Sequence, residues 1–347
     1  MTTRVLPVDA VMPERETVRE AAQVIRCGGL VAFPTETVYG LGADALNPEA
    51  VAQIYEAKGR PSDNPLIAHV LDRTGAERLV THIPDAATQL MDAFWPGPLT
   101  LILPKRAFVP NITSGGLQTL AVRCPSHPVA RLLIELAGTP IAAPSANASG
   151  RPSPTRASHV QFDMDGKIDM ILDGGAAVYG LESTIVDVSH GTPRILRPGS
   201  VTQDDLELAL GAPVIGMASE AAAADEAPLA PGMKYKHYAP SASVVIVSGA
   251  LERVVEAINT CAADANGKTI GILATEQTKD LYPLGRVFVM GDRTRPETIA
   301  ANLFKMLRQC DYTHMDIVYA EPFGETQIGQ AVMNRLQKAA GYHIIEV

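Results

Sequence analysis

Short apolar runs, set between helical patterns, constrain this chain more than any other feature. They recur at residues 30–33, 66–70, 99–103, 119–123, 170–173, 183–188 and 194–197. Each has the length of a buried strand, and the amphipathic stretches between them supply the layers that such strands need on their faces. This is the rhythm of an α/β domain. A second series follows, with strand-like 243–247, 269–274, 286–290 and 316–320 alternating with helical 251–262, 296–310 and 327–339. That alternation predicts a smaller parallel-sheet α/β domain. Between the two, Gly211 to Pro240 turns rich in Ala, Pro and Gly and reads as a long linker. The expected division is therefore 1–210, linker 211–240 and 241–347. A chain of 347 residues with 46% hydrophobic composition suffices for two cores.

The formal charge is −9, and both halves are acidic. Non-specific nucleic-acid binding needs many cations against phosphates, so it is disfavoured as the main task, while a local cationic pocket for a small anion stays compatible. Cys27, Cys124, Cys261 and Cys310 are scattered without zinc-ligand or Cys-x-x-Cys spacing and are expected to be buried reduced thiols. Residues 1–20 carry charges throughout and lack a signal-peptide core, and no apolar run approaches about 18 residues. The expectation is a cytoplasmic protein with no membrane association.

The run Lys58-Gly59-Arg60-Pro61-Ser62-Asp63-Asn64-Pro65-Leu66 sits where an amphipathic helix gives way to a strand. Asn47 is placed to cap that helix, Pro48 suits its first position, and Gly59 stops it. Pro61 and Pro65 stiffen the exit, so Lys58 and Arg60 are aimed together. A compact ammonium beside a planar guanidinium suits a triphosphate. The same pair also fits a solvated helix end, where cations are favoured.

Arg123 follows an apolar strand, where it is either a structural ion-pair partner or a fork for a carboxylate. Pro144-Ser145-Ala146-Asn147-Ala148-Ser149-Gly150 follows the small-residue strand 141–143 and admits either a polar turn or close approach of a ligand to the backbone. Ser183 and Thr184 open a strand after Glu182, and Arg197-Pro198-Gly199 closes another. Ser145 lacks a Gly-x-Ser-x-Gly elbow, which disfavours nucleophilic hydrolysis. Gly267-Lys268-Thr269 is not a phosphate loop, because position 262 is Ala and a strand follows. There is no Gly-x-Gly-x-x-Gly fingerprint and no His-Glu-x-x-His metal site.

Seven ordered segments, Phe33 to Leu41, Lys58-Gly59-Arg60-Pro61, Asn64-Pro65-Leu66, Trp95-Pro96-Gly97-Pro98, Pro144-Ser145-Ala146-Asn147, Glu182-Ser183-Thr184 and Arg197-Pro198-Gly199, closely resemble the YrdC/Sua5 family of threonylcarbamoyl-adenylate synthases. The likeness spans roughly residues 15 to 205. The segment from Pro231 to Pro240 and the small α/β domain after it resemble the longer Sua5 version. The resemblance implies a twisted, mixed open sheet followed by a smaller Rossmann-like parallel sheet. It implies the reaction of L-threonine, bicarbonate or CO2, and ATP to L-threonylcarbamoyl-adenylate and pyrophosphate, with magnesium accompanying the nucleotide. The product would pass to a threonylcarbamoyl transferase acting on adenosine 37 of tRNAs that read codons beginning with A.

By the same resemblance, nucleotide contacts fall to Arg60, Asn64, Thr119, Ser145, Ser153 and Arg197, with Lys58 and Arg60 serving catalysis at the phosphates, and a closing linker would add Tyr238 to the nucleotide site. Threonine contacts fall to Thr35, Thr37, His69, Arg123, Ala143 and Ser183. No residue is expected to bind a metal directly. Lys234, Tyr235, Lys236, His237 and Tyr238 suggest a linker that closes over the site, against a tether whose aromatics pack on the second domain. The competing function is a double-stranded RNA-binding module, separable by turnover without RNA. A hydrogenase-maturation carbamoyltransfer domain shares the fold but is disfavoured by the missing paired Cys-x-x-Cys motifs.

Overall fold

The structure is a computed structural model and describes residues 2–216, 237–324 and 327–347. The described residues form two compact units. The larger takes residues 2–149, 154–178 and 182–216, and the smaller takes 150–153, 179–181 and 237 onward.

The larger unit is built on a ten-stranded sheet. Its strands are β1 (Arg4–Pro7), β2 (Val31–Phe33), β3 (Gly40–Asp44), β4 (Ile67–His69), β5 (Leu99–Pro104), β6 (Thr119–Arg123), β7 (Ile141–Ala142), β8 (Met170–Asp173), β9 (Thr184–Asp187) and β10 (Arg194–Arg197). Their spatial order is β1-β8-β2-β3-β7-β4-β6-β5-β9-β10. β4 lies parallel to β6 and antiparallel to β7, while β5 is antiparallel to β6 and parallel to β9, so the sheet is mixed as expected.

Seven helices accompany the sheet: α1 (Arg15–Arg26), α2 (Pro48–Lys58), α3 (Arg73–Leu79), α4 (Asp85–Phe94), α5 (Pro128–Ala137), α6 (Ala157–Met164) and α7 (Gln203–Leu210). The start and stop of α2 follow from its sequence. Asn47 accepts hydrogen bonds from the Glu49 and Ala50 amides at 3.0 and 3.1 Å, Pro48 opens the helix, and Gly59 closes it in the left-handed region at φ 60°. Strands β1 and β3 have no counterpart among the apolar runs. β1 is exposed at the sheet edge, and β3 reads Gly-Leu-Gly-Ala-Asp, whose glycines weaken any strand signal. Gly42 is required there, since a Cβ would lie 2.7 Å from Ile141 and 2.8 Å from the Phe33 ring.

Alternation along the central strands decides where a site can form. Ala68, Leu99, Leu101, Leu103, Leu120 and Val122 point into the main core with Leu41, Ile54 and Leu90. Burying each of the Leu, Ile and Val side chains contributes about 1.5–3 kcal/mol. A second core packs α1 and α5 against Val31, Phe33, Ile141 and Leu172. The opposite faces of β4, β5, β6 and β9 carry a small apolar patch of Ile67, Ile102, Ala121 and Ile185, joined by Leu196.

The smaller unit holds β11 (Ser243–Ser248), β12 (Ile270–Ala274), β13 (Arg286–Val289), β14 (Ile317–Ala320) and β15 (Ile344–Glu346), with α8 (Leu251–Ala263), α9 (Pro296–Tyr312) and α10 (Ile328–Ala340). Its order is β13-β12-β14-β11-β15, with every pairing parallel. Of the cysteines expected inside, Cys124 and Cys310 are buried, Cys261 is half-buried and Cys27 is exposed. Cys27 follows the last turn of α1 and escapes the apolar stripe of Val18, Ala21, Ala22 and Ile25.

Candidate active site

The register of the central strands sets three polar side chains in one row. Thr100 of β5 pairs with Arg123 of β6, and Arg123 pairs with His69 of β4. They share the face that carries the small apolar patch, because directly opposed residues point the same way. Ile67 and Ala121, two positions back along β4 and β6, continue that face.

The turn between β2 and β3 brings Thr35, Glu36 and Thr37 to this row. Arg123 Nη1 donates to Thr37 Oγ1 at 2.9 Å, Nη2 to Glu36 Oε1 at 2.6 Å, and Nε to the Gly97 carbonyl at 3.3 Å. Thr35 Oγ1 lies 2.8 Å from Thr37 Oγ1 and donates to the Val38 carbonyl at 2.6 Å. Arg123 and Glu36 are both buried, with side-chain exposures of 4% and 6%. Burial by itself would raise the Glu36 pKa, but the Arg123 charge and hydrogen bond, aided by the backbone N–H groups of Glu36 and Ser126, hold it below the usual range. Of the two sequence alternatives for Arg123, the structural ion pair is the one formed. Arg123 keeps two of its five N–H groups for another acceptor.

His69 is buried, and its ring meets the Phe33 ring edge-on at 6.1 Å. Its Nδ1 donates to the Ile67 carbonyl at 3.1 Å, since a carbonyl only accepts. Burial first, then the nearby Arg123 charge, push its pKa down to about 3. His69 is therefore a neutral imidazole whose Nε2 is an acceptor. Ala143 completes this side, with its amide on the Ile67 carbonyl at 2.9 Å.

Ser183 and Arg197 lie at the other end of the row. Arg197 Nε donates to the Ser183 carbonyl at 3.1 Å and Nη2 to Ser183 Oγ at 3.2 Å. Ser183 Oγ also lies 2.7 Å from Thr100 Oγ1. The loop after β10 reaches this strand only because Gly199 lacks a side chain, as a Cβ there would sit 2.5 Å from the Thr184 nitrogen.

The helix before the Lys58 run ends at Gly59 as its sequence predicts, but Lys58 and Arg60 bind different backbone carbonyls. The Lys58 ammonium donates to the carbonyls of Ser145 and Asn147, and the Ser149 amide donates to the Lys58 carbonyl at 2.9 Å. The end of α2 is thereby fastened to the small-residue loop, where Ser145 Oγ donates to Asn147 Oδ1 at 2.6 Å. Arg60 Nη2 reaches the carbonyls of Asn64 and Pro65 at 3.3 and 3.2 Å. Asn64 is 1% exposed, and neither Oδ1 nor Nδ2 of its amide has a hydrogen-bond partner. Two orphaned polar atoms inside a protein are costly, and a ligand that supplies both a donor and an acceptor removes the cost.

Of the residues named from sequence, Thr35, Thr37, Lys58, Arg60, Asn64, His69, Thr119, Arg123, Ala143, Ser145, Ser183 and Arg197 all belong to the larger unit. Ser153 and Tyr238 belong to the smaller. There Tyr238 is buried, with its ring 5.1 Å from the Phe304 ring and 5.9 Å from the Arg335 guanidinium. Lys234, Tyr235 and Lys236 lie outside the described residues. Two contributors carry no assignment from sequence. Glu36 stands inside a quoted segment between the two threonines, and Thr100 sits in an apolar strand where only the pairing with β6 reveals it.

Comparison with known proteins places this geometry. A family profile described as telomere recombination, covering Sua5, YciO and YrdC proteins, matches residues 23–199. Another, described as the C-terminal domain of threonylcarbamoyl-AMP synthase, matches residues 201–341. The threonylcarbamoyl-AMP synthase of Pyrococcus abyssi is 50% identical over 336 residues, covering 96% of this chain and 97% of that protein. The Bacillus subtilis synthase is 47% identical over 332 residues, or 94% of each. The crystal structure of P. abyssi Sua5 complexed with L-threonine superposes with a TM-score of 0.94 at 48% identity, over 99% of this chain and 100% of that one. The chain belongs to the Sua5–YciO–YrdC family, in the two-domain form that carries the threonylcarbamoyl-AMP synthase C-terminal domain.

Proposed function

We propose that this chain is an L-threonylcarbamoyladenylate synthase, a nucleotidyltransferase that joins L-threonine, bicarbonate or CO2, and ATP and releases pyrophosphate. The observation that carries the reading is the buried row of Thr37, Arg123 and His69. It offers a guanidinium for a carboxylate beside a hydroxyl and a neutral imidazole acceptor for a side-chain hydroxyl. That set matches the carboxylate and the hydroxyl of threonine, and the related Sua5 is a threonine complex.

In this reaction the threonine nitrogen becomes a carbamate, whose oxygen attacks the α-phosphorus of ATP as pyrophosphate leaves. No protein nucleophile is needed, and the site works by holding two anions together and stabilising charge on the leaving group. Arg123 and Ser183 hold the amino acid, while Arg60, Asn64, Thr119, Ser145 and Arg197 hold the nucleotide. Lys58 acts at the phosphates by fixing the loop of Ser145 against the end of α2. Among the described residues no three His, Cys, Asp or Glu side chains gather as a metal site. Magnesium would be bound chiefly by phosphate oxygens, where it would neutralise their charge.

The product, a mixed anhydride, feeds a threonylcarbamoyl transferase that modifies adenosine 37 of tRNA in the cytoplasm. Mass spectrometry tests the reading directly. Incubation with ATP, bicarbonate and threonine yields threonylcarbamoyl-adenylate and pyrophosphate without RNA. Absence of that product, with the protein folded, would overturn it.

A further inference from the structure

We propose that Glu36 holds the amino nitrogen of the amino-acid substrate, so that Glu36 and Arg123 together recognise a zwitterion. The inference rests on the threonine reading above and adds a group to it. Glu36 is 4% exposed and follows Thr35 in the turn that also presents Thr37. Its Oε1 accepts the 2.6 Å bond from Arg123, whereas its Oε2 is buried without a hydrogen-bond partner, the Glu36 and Ser126 amides favouring the charge without closing a hydrogen bond on that oxygen. A carboxylate kept only to anchor Arg123 would be expected to satisfy both oxygens, because an ionised oxygen left without a donor is among the most costly groups to bury. The neighbouring Arg123 holds Glu36 ionised, so it accepts and does not donate.

The geometry of the pair matches the ligand. Thr37, Glu36 and Gly97 use one N–H on each of the three Arg123 nitrogens, and both Nη atoms retain a second. A substrate carboxylate takes those two without displacing Glu36. The ammonium, one carbon away from that carboxylate, then falls beside Oε2. As the ammonium sheds two protons to solvent and its nitrogen bonds to the carbon of CO2, the one N–H that remains on the carbamate stays on Glu36, which orients the new carboxylate for attack.

The test compares L-threonine with 3-hydroxybutanoate, which keeps the carboxylate and hydroxyl but lacks the amine. Titration calorimetry on the full chain should show Glu36→Gln weakening threonine roughly tenfold to a hundredfold, with little change for 3-hydroxybutanoate. Equal losses for both ligands would mean that Glu36 acts only through Arg123 and would overturn the inference, as would no loss for either. If Glu36→Gln fails to fold, the unaltered chain decides. It should bind threonine about tenfold or more tighter than 3-hydroxybutanoate, and equal affinities would overturn the inference. No threonine binding by the unaltered chain would instead remove the functional reading, and this inference with it.

Discussion

Arg197 grips Ser183 twice, through the carbonyl at 3.1 Å and through the hydroxyl at 3.2 Å. A residue assigned to the nucleotide therefore positions one assigned to the amino acid. Arg197→Ala should raise the ATP requirement roughly tenfold to a hundredfold and the threonine requirement by a smaller factor. Arg123→Ala should raise the threonine requirement while leaving ATP nearly unchanged. Initial rates with each substrate varied in turn measure both. An Arg197→Ala effect confined to ATP would show that the double bond to Ser183 carries no coupling.

In the proposed site, Thr100 acts on the amino acid through Ser183. The two hydroxyls lie 2.7 Å apart, and Thr100 is fully buried. If Thr100 and Arg197 both donate to Ser183 Oγ, the Ser183 hydrogen is turned outward to an anion. Thr100→Val keeps the shape and removes the donor, so the threonine KM should rise several-fold, on the order of 1 kcal/mol, with Thr100→Ser restoring it. An unchanged KM in Thr100→Val would show that Ser183 needs no such orientation.

His69 should not titrate during catalysis. With its pKa near 3, the unaltered chain and His69→Asn should give parallel pH–rate profiles between about pH 6 and 8. An inflection near the ordinary histidine value, lost in the variant, would assign His69 a proton-transfer role. Stability carries the opposite signature. The folded pKa lies below the unfolded value of 6.5, so the unfolded chain takes up the proton first, and stability falls as pH drops from about 6.5 toward 3. Between pH 7 and 5 this contributes on the order of 2 kcal/mol. Urea midpoints should fall less steeply with acid in His69→Gln.

The smaller unit has its own buried charge. Glu321 follows β14, accepts from the Tyr282 hydroxyl at 2.6 Å, and pairs with Arg293, which also donates to Thr275 Oγ1 at 3.1 Å and to the Pro322 carbonyl at 2.8 Å. Burial and Glu321 together raise the Tyr282 pKa, so the phenol stays a donor. Tyr282→Phe should destabilise this unit by about 1–3 kcal/mol, and Arg293→Ala by about 3–5 kcal/mol, since it strands a buried carboxylate. Hydrogen exchange should quicken in β12 and β14 while β5 and β6 are unaffected. Uniform quickening would mean that the two sheets unfold as one.

The sequence by itself determined most central strands and the ends of α2, though not β1 or β3. Apolar runs announced the central strands, and Asn47, Pro48 and Gly59 announced both ends of α2, because caps and buried strands are local properties written in adjacent residues. Ordered motifs further nominated Thr37, Asn64, His69, Arg123, Ser183 and Arg197 as site residues. What they do to each other was not legible. The Arg123 bond to Glu36 spans 87 positions, the Thr100 bond to Ser183 spans 83, and the Lys58 bond to the Ser145 carbonyl spans 87. Such pairings depend on strand order and register, which local pattern leaves free, since a one-residue slip would turn every side chain to the other face. Only the tertiary structure decided that Arg123 is already paired, that Glu36 keeps one oxygen unfilled, and that burial makes His69 a neutral acceptor.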